Sequence, residues 1–536
     1  MSDHATGSRS PQPPQPPQRI AAGLADAPDE VDLVVVGLGV TGAGAALDAV
    51  TRGLRVLAVD AHDLAFGTSR WSSKMVHGGL RYLAHGQVGV AHESASERGV
   101  LMEVTAPHLT RSMPQLIPLT SAVSRLQAGV AHSGLLAGDV LRRTAGTDRD
   151  TLPRPRRLSR VETLNLAPSL RSGGLRGGLL GWDGRLVDDA RLVVTLARTA
   201  ASAGAHVRTR ARVVRASGRE VRLRDETTGA EHVVRTRGVV NAAGVWADQV
   251  LGEEGSRTDG IRLRPSRGTH LVLRASAFPG LRAGVFCPVP GETNRFVMVL
   301  PQSEGSEPGG PGDVVYVGLT DEPAPGPVPD VPEPTEPEIG FLLDVVSAAF
   351  APQLRRDDVV GAFAGLRPLL ESGEGGSTAD LSRRHAVVVG GTGVTTVVGG
   401  KLTTYRQMAQ DAVDAACTAA GLVAGPCVTR TLPLSGAAPR SVLATLEEPA
   451  RLVARYGTDA ALVLARAREA TGLTDAELLA PVAPGVSVTL AELVFGVTDE
   501  GAHDVDDLLE RRTRVGVVPE DRAAAVPAAE RALAHR

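Results

Sequence analysis

The sequence predicts an α/β fold organised around one dinucleotide-binding βαβ unit near its start. The unit opens with Leu33–Val36, an apolar run that is too short for a helix and rich in β-branched residues, as is typical of a buried parallel strand. A glycine-rich turn, a helix over residues 43–51 and a second strand over residues 55–59 follow. This order of strand, turn, helix and strand predicts a parallel sheet with helices packed on it.

Three glycines in the turn have the G-x-G-x-x-G spacing of a pyrophosphate site: Gly37, Gly39 and Gly42. In this motif the first glycine permits the tight turn, the second lets the backbone approach the pyrophosphate, and the third lets the helix pack on the strand. The helix N-terminus faces the negative charge. Asp60 follows the second strand, where an acid accepts hydrogen bonds from a ribose. The motif does not distinguish NAD from FAD, and a βαβ unit with an ordinary glycine-rich turn is the alternative.

Composition and length exclude several classes of protein. A chain of 536 residues predicts two or three domains, and its 43% hydrophobic and 22% charged residues are typical of globular proteins. The formal net charge of −3 gives no reason to expect nucleic acid as a partner. No apolar run is long enough to predict a membrane span, and the N-terminus lacks the basic-then-apolar order of a signal peptide. The three cysteines have no metal-binding spacing, which favours a reducing compartment and predicts no metal site.

Lysine is almost absent from the chain. Of 57 basic residues, only Lys74 and Lys401 are lysines, and the others are arginines. We interpret this as a bias that replaces lysine wherever arginine can serve, so the two remaining lysines mark positions that need a compact ammonium. Chance is the alternative, but both lysines lie within the motifs described next.

The first half of the chain carries two further motifs. Residues 1–28 contain the run PQPPQPPQ and are predicted to be a disordered tail with no role in the fold. Residues 65–83 form a loop dense in hydroxyls, glycines and cations, which suits contact with a cofactor or an anion. The segment GWDGRLVDDAR predicts a turn and then a helix capped by Asp188 or Asp189. A strand and a meander over residues 206–234 follow.

The second half carries a strand that bears His270, a helix over residues 338–350 and a Gly-Gly turn before Lys401. The Gly-Gly turn lies between a strand and a helix, so it places backbone N–H groups and a cation where they suit a flavin edge or an anion. From about residue 431 the pattern is mainly helical.

Two of these motifs, GTSRWSSKMVHGGLRYL and GGKLTTYR, resemble those of the FAD-dependent glycerol-3-phosphate dehydrogenases, within the D-amino-acid-oxidase-like flavoprotein superfamily. The resemblance covers about residues 30–520. It implies a Rossmann-like FAD-binding domain with an inserted α+β substrate domain, built on a large antiparallel sheet, and a C-terminal helical domain. The implied limits are 29–106, 181–260 and 361–425 for the FAD-binding domain, 107–180 and 261–360 for the substrate domain, and 430–536 for the helical domain.

The resemblance also implies the site residues. The expected FAD contacts come from the glycine turns and the 65–83 loop: Gly37, Gly39, Gly42, Asp60, Thr68, Ser69, Ser72, Ser73, Lys74, His77, Gly78, Gly79, Leu80, Ala243, Gly244, Gly400, Leu402 and Thr403. The expected substrate contacts suit a dianionic phosphate and are Arg81, Tyr82, His270, Arg367, Arg383 and Lys401. Leu319 stands where the family has a threonine, so that position is assigned no role.

The catalytic candidates are His270, Lys401 and Arg367. His270 is favoured as the base, because a neutral imidazole is a competent proton acceptor near neutral pH. Lys401 and an arginine of the cluster are the rivals, and Lys401 can instead stabilise the negative charge of the reduced flavin.

The implied reaction is oxidation of sn-glycerol 3-phosphate to dihydroxyacetone phosphate, in which a hydride leaves C2 for flavin N5 while a base takes the proton of the C2 hydroxyl. In this family a membrane quinone accepts the electrons, which predicts a cytoplasmic enzyme with a peripheral position on the inner face of the membrane. The alternatives are an oxidase that uses oxygen, a flavoenzyme of the same superfamily that oxidises amines or amino acids, and a non-catalytic flavin-binding protein. The oligomeric state stays open, with a homodimer as one option.

Overall fold

The structure is a computed structural model that describes residues 18–84, 86–121, 123–250, 262–292, 295–303, 312–318, 320–370 and 385–536. Leu319, Arg383 and the side chain of Arg81 lie outside this description. In chain order, the strands are β1 (Ile20–Ala22), β2 (Leu33–Val36), β3 (Val56–Val59), β4 (Met75–Val76), β5 (Thr110–Pro118), β6 (Arg156–Leu158), β7 (Gly178–Leu186), β8 (His206–Thr209), β9 (Ala211–Ala216), β10 (Glu220–Asp225), β11 (Glu231–Arg235), β12 (Gly238–Asn241), β13 (Ser266–Arg274), β14 (Gly284–Pro288), β15 (Phe296–Gln302), β16 (Val314–Gly318), β17 (Glu322–Pro323), β18 (Val359–Arg367), β19 (His385–Val389), β20 (Val394–Gly399), β21 (Pro481–Ala483) and β22 (Val486–Thr489).

The α-helices, again in chain order, are α1 (Val40–Thr51), α2 (Leu80–Ala84), α3 (Val88–Val100), α4 (Arg125–Thr144), α5 (Arg160–Leu166), α6 (Asp189–Ser202), α7 (Glu336–Ala349), α8 (Tyr405–Ala420), α9 (Arg440–Leu443), α10 (Ala450–Tyr456), α11 (Ala460–Thr471), α12 (Asp475–Leu479), α13 (Leu490–Thr498) and α14 (Pro519–Leu533). Short π-helical segments, Leu101–Thr105 and Asp507–Arg512, follow α3 and α13.

The first sheet contains the predicted βαβ unit. Its strands lie in the order β1-β8-β3-β2-β12-β20-β19, and neighbours are parallel except for β19, which is antiparallel to β20. The predicted strand Leu33–Val36 is confirmed and is buried along its whole length. Helix α1 begins at Val40, earlier than predicted, because Gly39 serves as its extended N-cap. The glycine turn therefore lies at the carboxyl edge of the sheet, where ligands bind in open α/β folds.

One edge of this sheet comes from the stretch that was predicted to be a disordered tail. Strand β1 pairs in parallel with β8, in the register Ile20 to Val207. The tail prediction is therefore wrong for residues 20–22, whose apolar side chain at Ile20 is buried against the sheet.

The second sheet is mostly antiparallel. Its strands lie in the order β17-β13-β16-β15-β14-β5-β7-β4, with β18 also paired to β13 and β6 to β7. Helix α7 covers one face and packs Leu342 and Val346 into the apolar core of that sheet. The helix predicted over residues 338–350 is confirmed in slightly shifted form, with Thr335 as its N-cap in a capping box with Glu338.

Three strands of the antiparallel sheet do not respect the predicted domain limits. Met75–Val76, Gly178–Leu186 and Val359–Arg367 belong to the antiparallel sheet, although the predicted limits place all or part of each in the FAD-binding domain. The composition of these strands does not reveal that a predicted limit cuts through β7, because the residues of β7 are mostly buried on both sides of that limit. The domain limits themselves stay predictions.

The C-terminal part is helical, as predicted, and α10, α11, α13 and α14 enclose a core of their own. Buried ion pairs join it to α6. Arg191 and Glu500 form a bidentate pair at 2.8 and 2.6 Å, and both side chains are at most 1% exposed. Arg455 donates to Asp188, the N-cap of α6, at 2.8 Å. We call these four residues, together with Asp189, the α6 charge cluster. In the ranges that the structure describes, no helix is both long and apolar enough to cross a membrane.

Removing one member of the Arg191–Glu500 pair should strongly destabilise the protein. Arg191→Met or Glu500→Met leaves the partner charge buried without its counter-ion, so each should lower the free energy of unfolding by about 3–5 kcal/mol. The double variant removes both charges and should lose much less than the sum of the two. Denaturant unfolding followed by circular dichroism measures all three.

The control is Arg222→Gln, because Arg222 and Glu231 form a pair that is about half exposed, at 3.5 Å. A surface pair of this kind contributes about 0–1 kcal/mol. Equal losses for Glu500→Met and Arg222→Gln would contradict the importance of the buried pair.

Candidate active site

A cavity of about 2160 Å³ lies where the carboxyl edge of the parallel sheet meets the antiparallel sheet. It is more than twice as large as the ~1,000 Å³ that bounds most small-ligand pockets. Such a volume has room for a dinucleotide and a second molecule. The predicted site residues that line it are Gly37, Gly39, Asp60, Thr68, Ser69, Ser72, Ser73, His77, Leu80, Tyr82, Ala243, Gly244, His270, Arg367, Gly400, Lys401, Leu402 and Thr403.

The glycine turn has no space for side chains at two of its positions. A Cβ on Gly37, which has φ +92°, would lie 2.8 Å from the backbone oxygen of Ala242. A Cβ on Gly42 would lie 1.8 Å from the backbone oxygen of Gly37. The first contact keeps β12 close to the turn, and the second lets α1 pack directly against it. The structure thus gives Gly42 a packing role, behind the cavity wall.

Two residues of the 65–83 loop hold it against the turn and against the second sheet. The backbone N–H of Val40, at the start of α1, donates to Ser69 Oγ at 2.9 Å. The hydroxyl of Thr68 donates to the backbone oxygen of Leu366 on β18 at 2.6 Å. The loop therefore bridges the two sheets at the wall of the cavity.

Asp60 stabilises the glycine turn through hydrogen bonds to backbone N–H groups. Its carboxylate accepts the backbone N–H of Leu38 at 2.7 Å and that of His62 at 2.8 Å. Burial raises the pKa of Asp60 to about 6, although both N–H groups favour the charged form. The predicted ribose contact stays a prediction, and the structure adds a bracing role that the sequence did not indicate.

His270 lies on β13 at the opposite side of the cavity and is fully buried. Its Nε2 is 2.8 Å from Ser73 Oγ, and its ring stacks on Phe363 with 4.9 Å between centroids. Burial, together with the positive charges of Lys74 and Arg367, lowers the pKa of His270 to about 3. The imidazole is therefore neutral at physiological pH.

Two cations, Arg367 and Lys401, also line the cavity and are held by protein groups. Arg367 Nη1 is 3.0 Å from Asp321 Oδ1. Lys401 follows two glycines with positive φ, donates to Ser94 Oγ at 2.6 Å and lies 3.8 Å from the centroid of the Tyr82 ring. These contacts fix the positions of both positive charges, and positive charges held in place suit recognition of an anion.

Some predicted residues do not line the cavity. Lys74 lies behind it, with its ammonium 2.7 Å from Asp189. Gly78 and Gly79 pack against α3, where a Cβ on Gly78 would lie 2.3 Å from a guanidinium nitrogen of Arg98. The backbone of Arg81 is in α2, but its side chain, like the whole of Arg383, lies outside the described residues.

The sequence did not single out two acids of the cavity wall, Asp183 and Asp321. Asp183 accepts from the backbone N–H of Gly78 at 3.1 Å and from Arg98 at 2.6 Å. Asp183 stands in the segment GWDGRLVDDAR, but nothing in the local sequence pattern predicts the partners of either acid. Over the described ranges, no group of three or more His, Cys, Asp or Glu is arranged to hold a metal ion.

The part of the cavity lining that includes α4 is rich in apolar side chains, with polar ones such as Gln115 and Gln127 among them. Apolar residues from β5, α4 and the β14–β15 hairpin contribute to it: Ile117, Leu119, Leu126, Val130, Leu135, Phe286, Phe296 and Met298. Leu126 and Val130 are 79% and 65% exposed, and α4 has no Asp, Glu, Lys or Arg between Arg125 and Asp139. An exposed apolar surface at the mouth of a cavity is typical of a site for an apolar ligand or partner.

Comparison with known proteins gives consistent matches. Residues 32–406 match the family "FAD dependent oxidoreductase", and residues 427–535 match "C-terminal domain of alpha-glycerophosphate oxidase". The chain is 50% identical over 512 residues to glycerol-3-phosphate dehydrogenase 1 of Mycobacterium tuberculosis, covering 94% of this chain and 95% of that protein.

Two solved structures share the fold. The structure is similar, with a TM-score of 0.71 and 28% identity, to the glycerol-3-phosphate dehydrogenase from Bacillus halodurans complexed with FAD, over 95% of this chain and 92% of that one. It also matches the L-alpha-glycerophosphate oxidase of Mycoplasma pneumoniae with FAD bound, with a TM-score of 0.55 and 18% identity, over 76% of this chain and 99% of that one. The second likeness concerns the fold alone.

The Gly42 contact can be tested directly. Gly42→Ala should lose most of the FAD that wild type retains, because the new methyl group would overlap the backbone of the turn. The control is Gly89→Ala in α3, where a Cβ meets open space. Bound flavin per chain is measured by absorbance, and circular dichroism checks that each variant is folded. Full flavin content in Gly42→Ala would contradict the packing role.

Proposed function

Because the chain belongs to the FAD-dependent glycerol-3-phosphate dehydrogenase family, we propose that it oxidises sn-glycerol 3-phosphate to dihydroxyacetone phosphate and passes the electrons to a quinone. The observation that carries the proposal is one continuous cavity. That cavity joins the dinucleotide turn, His270 with its cationic neighbours, and an apolar mouth.

The residues present fit FAD. The glycine turn offers close backbone approach and a helix N-terminus, as a pyrophosphate requires. Gly400, Leu402 and Thr403 line the same cavity, where they suit the edge of the ring system. When bound, FAD supplies the acceptor for the hydride that leaves C2 of the substrate.

The cations of the wall suit the phosphate of the substrate. Arg367 and Lys401 provide two positive charges with directed donors, and Tyr82 can donate from its hydroxyl. Arg81 and Arg383 complete the set that the family resemblance implies. A dianionic phosphate gains more from several cations than a single carboxylate does, which favours a phosphorylated polyol over an amino acid.

His270 is the proposed base for the proton of the C2 hydroxyl. It is neutral and lies against the hydroxyl of Ser73, so Ser73 can orient the ring or relay the proton. The low pKa of the buried ring makes it a weak acceptor, but a dianion bound nearby raises the pKa of a histidine and offsets that weakness. Lys401 and Arg367 stay the rival catalytic candidates, and Lys401 can also stabilise negative charge on the reduced cofactor.

The apolar mouth favours a quinone over oxygen as the acceptor. Molecular oxygen needs no extended apolar surface, whereas a quinone buries its ring and its apolar tail against such a surface. A quinone acceptor also implies a cytoplasmic protein that contacts the membrane surface through α4. Oxygen stays the alternative acceptor, and a homodimer stays an open option.

Anaerobic titration tests the reaction. The purified protein should be yellow, and sn-glycerol 3-phosphate should bleach its absorbance band near roughly 450 nm without oxygen. Glycine and D-alanine serve as competing candidates. Bleaching by these amines alone would favour the amine-oxidising alternative, and a yellow protein that no candidate bleaches would favour a non-catalytic flavin protein.

The acceptor is tested on the bleached protein. The band should return faster with a short-chain ubiquinone than with oxygen at equal concentration. The double variant Leu126→Ser/Val130→Ser should slow the return with quinone and leave the anaerobic bleaching unchanged. Val140→Ser is the matched control, because Val140 is 56% exposed on the same helix but does not line the cavity. Faster return with oxygen would make the protein an oxidase.

Replacing His270 should lower turnover more than substrate affinity. His270→Gln keeps an amide near the position of Nε2 that can bond to Ser73 but cannot accept a proton at neutral pH, so the limiting rate of flavin reduction should fall by about 10²–10⁴-fold. The half-saturating substrate concentration should change little, because the phosphate contacts remain. Stopped-flow absorbance measures both, with His270→Ala as a second variant. A variant with full turnover would exclude His270 as the base.

A further inference from the structure

The ammonium of Lys74 is fully committed to protein groups. Its Nζ lies 2.7 Å from Asp189 Oδ1 and donates to the backbone oxygens of Arg70 at 3.1 Å and Ser72 at 3.4 Å. The residue is 2% exposed. Because an ammonium has three N–H donors, these three acceptors account for all of them. A cofactor contact would require the side chain to give one of them up.

The same carboxylate also holds the loop on which Lys74 lies. The other oxygen of Asp189 accepts the backbone N–H of Ser72 at 3.0 Å and its hydroxyl at 2.7 Å. Lys74 itself has φ +59°, a left-handed conformation that a residue with a side chain adopts only where its surroundings enforce it. Residues 72–74 therefore form a tight turn around one ammonium–carboxylate pair.

This turn supports His270 from two directions. Ser73 lies between Ser72 and Lys74, and its Oγ is 2.8 Å from Nε2 of His270. The ammonium of Lys74 lies 5.5 Å from the centroid of Phe363, whose ring stacks on the imidazole. A cation at the face of an aromatic ring is attracted by it. Lys74 is thus linked both to the hydroxyl and to the ring that fix the imidazole.

We propose that Lys74 is a positioning residue that holds Ser73 and Phe363 against His270, in place of the cofactor contact that the sequence predicted. This inference rests on the proposed function, in which His270 acts on the substrate. Arginine is a poor substitute here, because three acceptors converge on one buried nitrogen and the larger, planar guanidinium spreads its donors over three nitrogens. The site thereby accounts for one of the two lysines in a chain whose other basic residues are arginines.

The charges around Lys74 give the proposal a pH dependence. Asp188 and Asp189 of α6 favour the ammonium, whereas Arg514 disfavours it; the rings of Tyr316 and His270 complete the surroundings. Burial lowers the pKa of Lys74 to about 8. The pair between Lys74 and Asp189 should therefore weaken as the pH rises through about 8, and the limiting rate of flavin reduction should fall there. Asp189→Asn should move that fall to lower pH, because it removes the charge that favours the ammonium.

The experiment compares Lys74→Met, Lys74→Arg and Asp189→Asn with wild type, each with its FAD content measured first. In the flavin-loaded fraction, Lys74→Met should reduce its flavin with sn-glycerol 3-phosphate at least about tenfold more slowly, as expected for a misplaced base. Its half-saturating substrate concentration should be nearly unchanged, and the fall above pH 8 should be absent. Lys74→Arg should not restore the rate. A general structural defect would lower the rate equally at every pH.

Hydrogen exchange of the flavin-loaded protein gives a readout without substrate. Peptides within residues 66–79 should exchange faster in Lys74→Met, and the rest of the chain should not. The matched control is Arg52→Met, which removes a buried cation paired with Asp48 at 2.8 Å and with Asp414 at 2.5 Å, at the far end of α1. That control should leave the exchange of residues 66–79 and the rate of flavin reduction unchanged.

Each outcome decides the proposal. Wild-type rate, pH profile and exchange in Lys74→Met would overturn it. A variant that loses FAD while its loaded fraction reacts normally would return Lys74 to the role of a cofactor contact. If wild type is not reduced by sn-glycerol 3-phosphate, the proposed function fails. Faster exchange confined to residues 66–79 would then still support the positioning role of Lys74, and unchanged exchange would overturn that role.

Discussion

The start of α6 is the point on which the arrangement of this protein depends, because several buried charges there must be paired at once. Asp188 pairs with Arg455 of the C-terminal helices, Asp189 with Lys74 of the site loop, and Arg191 with Glu500. The acids at the first turn also face the positive end of the helix dipole. A single unpaired charge in this interior would be costly, so the helical domain, α6 and the loop fit together in one arrangement. Such pairs specify geometry more than they add net stability.

The cavity is a product of two sheets that meet along the 65–83 loop. The parallel sheet supplies the glycine turn and Asp60, and the antiparallel sheet supplies His270 and Arg367. Thr68 joins the two by bonding to Leu366 of β18. Because the groups proposed for chemistry lie on strands or on a loop that is tied to strands, they are held more firmly than groups on an independent surface loop would be.

The environment of His270 shows how burial and charge act together. The ring is enclosed by Phe363 and Ser73, and the nearest cations further disfavour its protonation. A buried imidazole kept neutral by its neighbours is available as an acceptor, but only a nearby negative charge makes it an effective one. The anion that the wall cations suit would supply that charge, so the proposed anion binding and the proposed proton transfer would be linked by the same electrostatics.

Local sequence determined the parts of this protein whose conformation depends on near neighbours. Short-range rules of strand, turn and helix formation predict Leu33–Val36, the glycine turn, a helix cap at Asp188 or Asp189 and the Gly-Gly turn before Lys401. The helical pattern after residue 431, together with the family resemblance, predicts the helical C-terminal domain. Only the tertiary structure decided contacts between distant residues. It placed Ile20–Ala22 in a sheet, carried β7 and β18 across the predicted limits, and joined Ser72 to Asp189, 117 residues away. It also directed Lys74 away from the cavity, because a buried ammonium goes where its counter-ion lies, and no local pattern records that position.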